Sequence, residues 1–273
     1  MEKEPTAVNS ILKQVTKQTG PLGSETVCPK HKTDNKSFDK FGGGLYYYCE
    51  QCNKESEERR EKEEKQEMEE RELRRKKLLI EKNLKDCAIG KRFQNVCFDD
   101  YHPAEGSNAK SILDSCQKYA ESFEGHHSDG SGLILIGNPG TGKNHLAAAI
   151  CTQVINTGKY TAVHTTVMKL IRRIKATWNR DAEEGEQTAI MAFCDPDLLV
   201  IDEVGVQFGS DTEKLLLTEV INERYEQMRP TIVISNLTTK NLAECLGERV
   251  IDRFRDGGEV LVFDWESYRK KNK

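Results

Sequence analysis

The sequence predicts an α/β protein: one parallel sheet of five strands with helices on both faces, preceded by a small cysteine-bearing segment and a charged helix. Three observations carry that expectation. Short β-branched or leucine-rich runs recur at residues 133–136, 161–164, 198–201, 231–235 and 259–263, separated mostly by helical patterns. The first run leads directly into a glycine-rich loop and then a helix pattern closed by Gly158. Upstream, residues 53–77 are almost entirely charged, with Met68 and Leu73 the only apolar side chains, a helix-forming composition without an apolar seam.

The bulk composition narrows the function classes. A chain of 273 residues suits one domain of ordinary size plus an appendage. Its net charge of −4 supplies no global field for nucleic acid, so such binding requires a local patch. Nine cysteines spread along the chain do not form the even framework of a small secreted protein, and no early apolar run resembles a signal peptide. A cytoplasmic location and no membrane insertion are expected.

Residues 1–27 are polar and read as an arm or short helix. Next comes Cys28-x2-His31-x17-Cys49-x2-Cys52, two short ligand pairs separated by a loop containing Gly42, Gly43 and Gly44. That spacing is what a tetrahedral Cys3His zinc knuckle needs, and so short a segment has too little apolar sequence for a core of its own. A three-cysteine site completed by water or an outside ligand is the alternative. Phe41, Tyr46, Tyr47 and Tyr48 either pack around the metal or, beside Lys30, Lys32 and Lys40, stack on single-stranded nucleic acid. The charged helix follows as a solvated spacer laced by i,i+4 pairs. Its apolar end, Leu78, Leu79, Ile80 and Leu84, offers a docking surface. The remaining cysteines, Cys87, Cys97, Cys116, Cys151, Cys194 and Cys245, read as small packed apolar residues.

The loop GNPGTGKN fits a phosphate cradle, with Gly137, Gly140 and Gly142 turning backbone N–H groups inward and Lys143 reaching the β and γ phosphates. The run LLVIDE ends a buried strand in Asp202, which would hold Mg²⁺, and Glu203, which would polarise the attacking water. TIVISN ends a third strand at Asn236, whose side chain either bonds the γ phosphate or the attacking water, or serves as simple turn chemistry. TTKNLAECLGERVIDRFR reads as helical, with Arg249 and Arg253 four apart; they form surface ion pairs, or one is a finger for a nucleotide on a neighbouring subunit. Residues 165–178 read as a helix with Val167, Leu170, Ile171, Ile174 and Trp178 on its core face. Lys169, Arg172, Arg173 and Lys175 lie on its other face, as a solvated surface or a patch for single-stranded DNA. Residues 92–101, RFQNVCFDDY, are positioned to cover a base.

GNPGTGKNHLAAAI, DLLVIDEVGVQ, INERYEQMRPTIVISNL, LGERVIDRFR and FDWESYR together resemble the AAA+ ATPase domain of the DnaC-type replicative helicase loaders, over residues 92–273. The unusual Lys-Asn-His after the loop glycine belongs to that resemblance. What it implies is a slow, Mg²⁺-dependent ATPase, stimulated by single-stranded DNA, that binds a DnaB-type hexameric helicase and helps place it on DNA during replication initiation. ATP or ADP would contact Gly137, Asn138, Pro139, Gly140, Thr141, Gly142, Lys143, Asn144, His145 and Asp202. Lys143 would be the Walker A lysine, Asp202 and Glu203 the Walker B pair, and Asn236 the sensor 1 residue. Arg249 would be the finger through which copies associate, with Arg253 the alternative. No helical lid is expected after the last strand.

Residues 1–85 are assigned to helicase recognition, with the knuckle at 28–52 and the helix at 53–85, and 86–273 to the ATPase domain. A non-hydrolysing ATP-responsive helicase adaptor and an IstB-like transposition helper are the other readings. Asn144 stands where phosphate-binding loops usually carry a Ser or Thr hydroxyl. Either its amide oxygen turns to Mg²⁺, or the metal is held by Asp202, water and phosphate.

Overall fold

The computed structural model describes residues 27–39, 45–94, 96–205 and 210–268, without the side chains of residues 37–39 and 45–48. The expectations for residues 1–26, for Phe41 and Lys40, and for the side chains of Tyr46, Tyr47 and Tyr48 lie outside the described residues. The chain divides into two compact units, residues 1–75 and 76–273.

In the first unit, β1 (Lys36–Asp39) and β2 (Leu45–Tyr48) form an antiparallel pair. Helix α1 runs over Glu50–Asp86, spanning 37 residues. Its exposed side chains pair at i,i+4, as in Arg60 with Glu64 at 3.2 Å and Arg71 with Glu67 at 3.1 Å. Such pairs support a solvated helix only weakly, and backbone hydrogen bonding carries most of its order. The second unit includes the end of this helix, where Ile80 and Leu84 pack against the core while Leu78 and Leu79 stay exposed. The apolar stretch is therefore divided between the protein's own core and its surface.

The larger unit holds the predicted parallel sheet. Its strands are β3 (Leu133–Gly137), β4 (Ala162–Thr166), β5 (Leu198–Asp202), β6 (Thr231–Ser235) and β7 (Glu259–Phe263), in the order β4-β5-β6-β3-β7. Every pairing is parallel. Both faces are covered, because alternate residues of each strand bury on opposite sides. Leu133 and Leu135 join Leu198, Val200, Ile232 and Ile234 in one core. Ile134, Ile136, Leu199, Ile201 and Val233 build the other.

Helices α2 (Ala109–Glu121) and α4 (Lys143–Asn156) bury residues in the first core, with the short α3 (Phe123–Asp129) between them in sequence. Helices α5 (Val167–Ala176), α6 (Glu186–Cys194), α7 (Asp211–Glu226), α8 (Thr239–Leu246) and α9 (Glu248–Arg255) serve the second.

Three sequence expectations change. Trp178 is not on the core face of α5: the helix ends at Ala176, and the indole is exposed, donating to Glu186 at 2.9 Å. The stretch 238–255 is two helices, broken at Gly247, whose φ of +92° suits glycine. Cys97 is exposed, its thiol donating to Asp100 at 3.1 Å, whereas Cys87, Cys116, Cys151 and Cys194 are buried as expected.

Candidate nucleotide site and metal-binding knuckle

The loop after β3 lies at the carboxyl edge of the sheet, where β3 is flanked by β6 and β7 while the chain crosses to β4 at the far edge. That reversal is where an open parallel sheet opens a crevice for ligand. Because β6 separates β3 from β5, Asn236, just beyond β6, lies between the loop and the Asp202–Glu203 strand end. A cleft of about 420 Å³ brings them together, lined by Gly140, Gly142, Lys143, Asn144, Asp202, Glu203 and Asn236. Arg92, Phe93, Asp100 and Tyr101 line its other side, as expected for the segment before the sheet.

Two glycines are dictated by their neighbours. A Cβ at Gly137 (φ +122°) would lie 2.2 Å from the Phe263 carbonyl oxygen, and one at Gly142 (φ +97°) would lie 2.4 Å from the Tyr101 ring. Lys143 opens α4 and turns back, donating to the carbonyls of Gly137 at 2.8 Å and Asn138 at 2.7 Å. Burial pulls its ammonium down to about 8, partly opposed by Asp202. A buried cation hydrogen-bonded to carbonyl oxygens is poised to exchange them for anionic phosphate.

Asp202 ends β5 as a buried carboxylate. Its Oδ1 accepts the backbone N–H of Glu203 at 2.7 Å and its Oδ2 the side-chain amide of Asn144 at 2.5 Å. Burial pushes its carboxyl above the ordinary range, against the lowering effect of those bonds and of Lys143. An incompletely neutralised carboxylate beside a phosphate cradle fits a divalent cation. Glu203 sits at φ +61° and is exposed, its strained backbone held by the bond to Asp202.

The sequence reading missed the brace behind the loop. The Asn138 side chain donates to the carbonyls of Asp264 at 3.0 Å and Trp265 at 3.2 Å, and the Tyr268 N–H donates to Gly140 O at 3.0 Å. The Tyr101 hydroxyl donates to Thr141 O at 3.0 Å, and its ring meets Tyr268 and His145 edge-on. FDWESYR entered the reading only through the resemblance, although its aromatic residues directly after a strand were a signal of packing.

The arginines separate. Arg253 bonds Asn222 and stacks on Tyr225, 4.5 Å from the ring centre. Arg249 is exposed and has no ion pair among the described residues. On α5, Arg173 pairs with Glu184 and Lys175 with Glu213, each at 2.7 Å. Lys169 and Arg172 are exposed and unpaired among the described residues.

In the first unit the four ligand candidates converge. His31 Nδ1 lies 3.8, 3.4 and 3.3 Å from the sulfurs of Cys28, Cys49 and Cys52, and Cys28 and Cys52 sulfurs are 3.7 Å apart. A tetrahedron with Zn–S of about 2.3 Å and Zn–N of about 2.0 Å has edges of about 3.5 to 3.8 Å. The donor set is thus compatible with zinc. Glu55, one helical turn beyond Cys52, bonds His31 Nε2 at 3.0 Å and leaves Nδ1 for the cluster. That residue was overlooked, and its spacing from Cys52 was the available signal.

The sheet order, the glycine loop and the Asp-Glu strand end define a P-loop domain of the AAA+ fold. The family described as IstB-like ATP binding protein matches residues 51–273. The chain is 36% identical over 197 residues to the replicative helicase loader DnaC of Buchnera aphidicola subsp. Baizongia pistaciae (strain Bp), covering 72% of this chain and 78% of that protein. It is 36% identical over 179 residues to DnaC of Escherichia coli (strain K12), covering 65% and 71%. A crystal structure of the DnaC helicase loader superposes with a TM-score of 0.57 at 26% identity, covering 64% of this chain and all of that one. The replication initiator DnaA bound to AMPPCP and single-stranded DNA shares the fold, with a TM-score of 0.53 at 17% identity, covering 66% of this chain and 52% of that one. The chain belongs to the IstB-like ATP-binding family, as a DnaC-type protein. Among the described residues, no helix is long and apolar enough to cross a membrane.

Proposed function

We propose that the protein is an ATP-dependent loader of a DnaB-type hexameric replicative helicase onto single-stranded DNA. The observation that carries this reading is the convergence of Lys143, Asp202, Glu203 and Asn236 on one cleft, in a chain 36% identical to DnaC over 197 residues. The loop N–H groups and the start of α4 hold the phosphates, and Lys143 leaves its loop carbonyls for the β and γ oxygens. Asp202 would hold Mg²⁺, and a bound ion would supply positive charge beside the transferring phosphoryl group. Glu203 orients and deprotonates the attacking water, and Asn236 bonds the γ phosphate. Arg249, exposed and away from its own cleft, serves the nucleotide of a neighbouring copy.

The knuckle of Cys28, His31, Cys49 and Cys52 holds zinc and, with the charged helix, forms the helicase-binding region within residues 1–85. Lys169 and Arg172 contact the phosphates of single-stranded DNA. The two paired cations beside them join only if their acidic partners release them.

A second reading, a non-hydrolysing ATP-responsive adaptor, is favoured by one observation: Asn144 replaces the usual hydroxyl and engages Asp202. Single-turnover hydrolysis with and without single-stranded DNA separates the two. The loader reading expects turnover that falls about a hundredfold or more in Glu203→Gln, with ATP binding retained. No turnover in the wild type selects the adaptor. Co-purification with a DnaB-type helicase in ATP and in ADP tests the partner, and its failure in both selects the IstB-like transposition reading.

A further inference from the structure

Asn144 stands in the first turn of α4 and faces Asp202 across the cleft. A carboxylate offers only acceptors, so the atom of Asn144 lying 2.5 Å from Asp202 Oδ2 is the amide nitrogen acting as donor. The other Asp202 oxygen is held by the Glu203 N–H at 2.7 Å. Both oxygens of the one buried acid in the cleft are therefore engaged by donors belonging to the protein itself.

Magnesium demands oxygen ligands in a near-octahedral shell at about 2.0–2.1 Å. A Ser or Thr at position 144 could turn a lone pair toward such an ion while leaving Asp202 free. An NH₂ group has no lone pair to give and places positive hydrogens where a cation would be. To ligate through its oxygen, Asn144 would have to rotate its amide and give up Asp202. A hydrogen bond to a charged partner is worth roughly tenfold or more in an equilibrium constant, so that release opposes metal entry.

We propose that Asn144 is a latch on Asp202 that occupies the place of the divalent cation, so that the protein takes up nucleotide nearly independently of Mg²⁺ and metal entry requires the Asn144–Asp202 bond to open. This rests on the nucleotide-binding reading of the cleft. Phosphate capture by the loop N–H groups and Lys143 does not need the Asn144–Asp202 side-chain bond to open, whereas hydrolysis does. Binding and turnover are thereby separated into two steps controlled by different groups. The nucleotide-bound state outlasts phosphate capture, and whatever opens the latch sets the time of hydrolysis.

The test is the affinity of the full chain for ATP, measured calorimetrically in excess Mg²⁺ and again in EDTA, for the wild type, Asn144→Thr and Asn144→Ala. Each variant is first checked for wild-type melting. The wild type should bind with dissociation constants within about threefold of each other in the two buffers. Asn144→Thr should bind about tenfold tighter in Mg²⁺ than it does itself in EDTA. Asn144→Ala, which frees Asp202 without supplying a hydroxyl, should gain a smaller Mg²⁺ dependence, and it carries the test if the Thr variant does not fold. Wild-type binding tightened tenfold or more by Mg²⁺, or variants as insensitive to Mg²⁺ as the wild type, would overturn the latch. Absence of ATP binding by the wild type in both buffers would instead remove the nucleotide reading itself, and the latch with it.

Discussion

Tyr268 donates its backbone N–H to the carbonyl of Gly140 at 3.0 Å, so a residue from beyond the last strand holds the middle of the phosphate-binding loop. Asn138 reinforces the same contact from the loop side by donating to the carbonyls of Asp264 and Trp265. The loop's shape is thus set by chain from outside the strand-loop-helix unit that contains it.

Removing this brace should loosen nucleotide binding without unfolding the domain. Asn138→Ala leaves two carbonyls without their side-chain donor, at about 1 kcal/mol each. The expected outcome is ATP affinity weaker by about tenfold, with melting lowered by only a few degrees. Tyr268→Ala, which keeps the backbone bond but deletes the ring against Tyr101, should show a smaller loss. Calorimetric titration of both variants checks the order, and unchanged affinity in Asn138→Ala would show that the loop holds its shape alone.

Much of the lining of the candidate cleft was legible because its residues lie beside strand ends. Lys143, Asp202, Glu203 and Asn236 each end or follow a strand whose apolar run marks it in sequence, and a parallel sheet aligns those ends. The brace was not legible, because the Asn138 side chain and the Tyr268 N–H bond backbone carbonyls, of Asp264, Trp265 and Gly140, that carry no residue signature. The pairing state of charges was hidden for a similar reason. Arg173 and Lys175 look like Lys169 and Arg172 in sequence, yet the first two are bound to Glu184 and Glu213 across the fold. Trp178 fitted the helical period, but the helix stops two residues before it.

Glu55 should matter to the knuckle although it is not a metal ligand. By accepting from His31 Nε2 it fixes the ring so that Nδ1 faces the three sulfurs. Carboxylate partners of ligating histidines typically contribute about tenfold to a hundredfold in metal affinity. Glu55→Ala should therefore lower zinc affinity by about tenfold in a chelator competition, while Cys52→Ser should abolish stoichiometric zinc. A preparation of the wild type made without chelators and free of zinc would remove the metal reading altogether.

Arg224 is fully buried, and its guanidinium serves Phe193 O, Cys194 O, Pro196 O, Pro230 O and Thr231 Oγ1 at 2.6 to 3.0 Å. It ties the end of α6 to the starts of β5 and β6, the strands that carry Asp202 and lead to Asn236. A lysine keeps the charge but has three donors on one atom and cannot span those acceptors. Arg224→Lys should destabilise the protein by about 3 kcal/mol in urea unfolding, through buried carbonyls left without donors. A change below about 1 kcal/mol would mean that the neighbouring carbonyls find other partners.

Arg249 and Arg253 share a helix and a charge, and their surroundings predict opposite phenotypes. Arg253 is engaged by Asn222 and the Tyr225 ring, so Arg253→Ala should cost about 1–2 kcal/mol of stability and affect hydrolysis only as far as the folded population falls. Arg249 has no such partner among the described residues, so Arg249→Ala should leave melting unchanged. If it reaches a neighbour's nucleotide, hydrolysis should fall by about a thousandfold. A mixing experiment isolates that role. Arg249→Ala retains an intact cleft and lacks the finger, whereas Glu203→Gln has the finger and a cleft that cannot activate water. Neither should turn over ATP alone. Combined, they create interfaces in which the arginine of one copy faces the intact cleft of the other, and a measurable fraction of wild-type turnover should return. Recovery identifies Arg249 as a residue acting between copies; full activity of Arg249→Ala on its own would exclude it from the reaction.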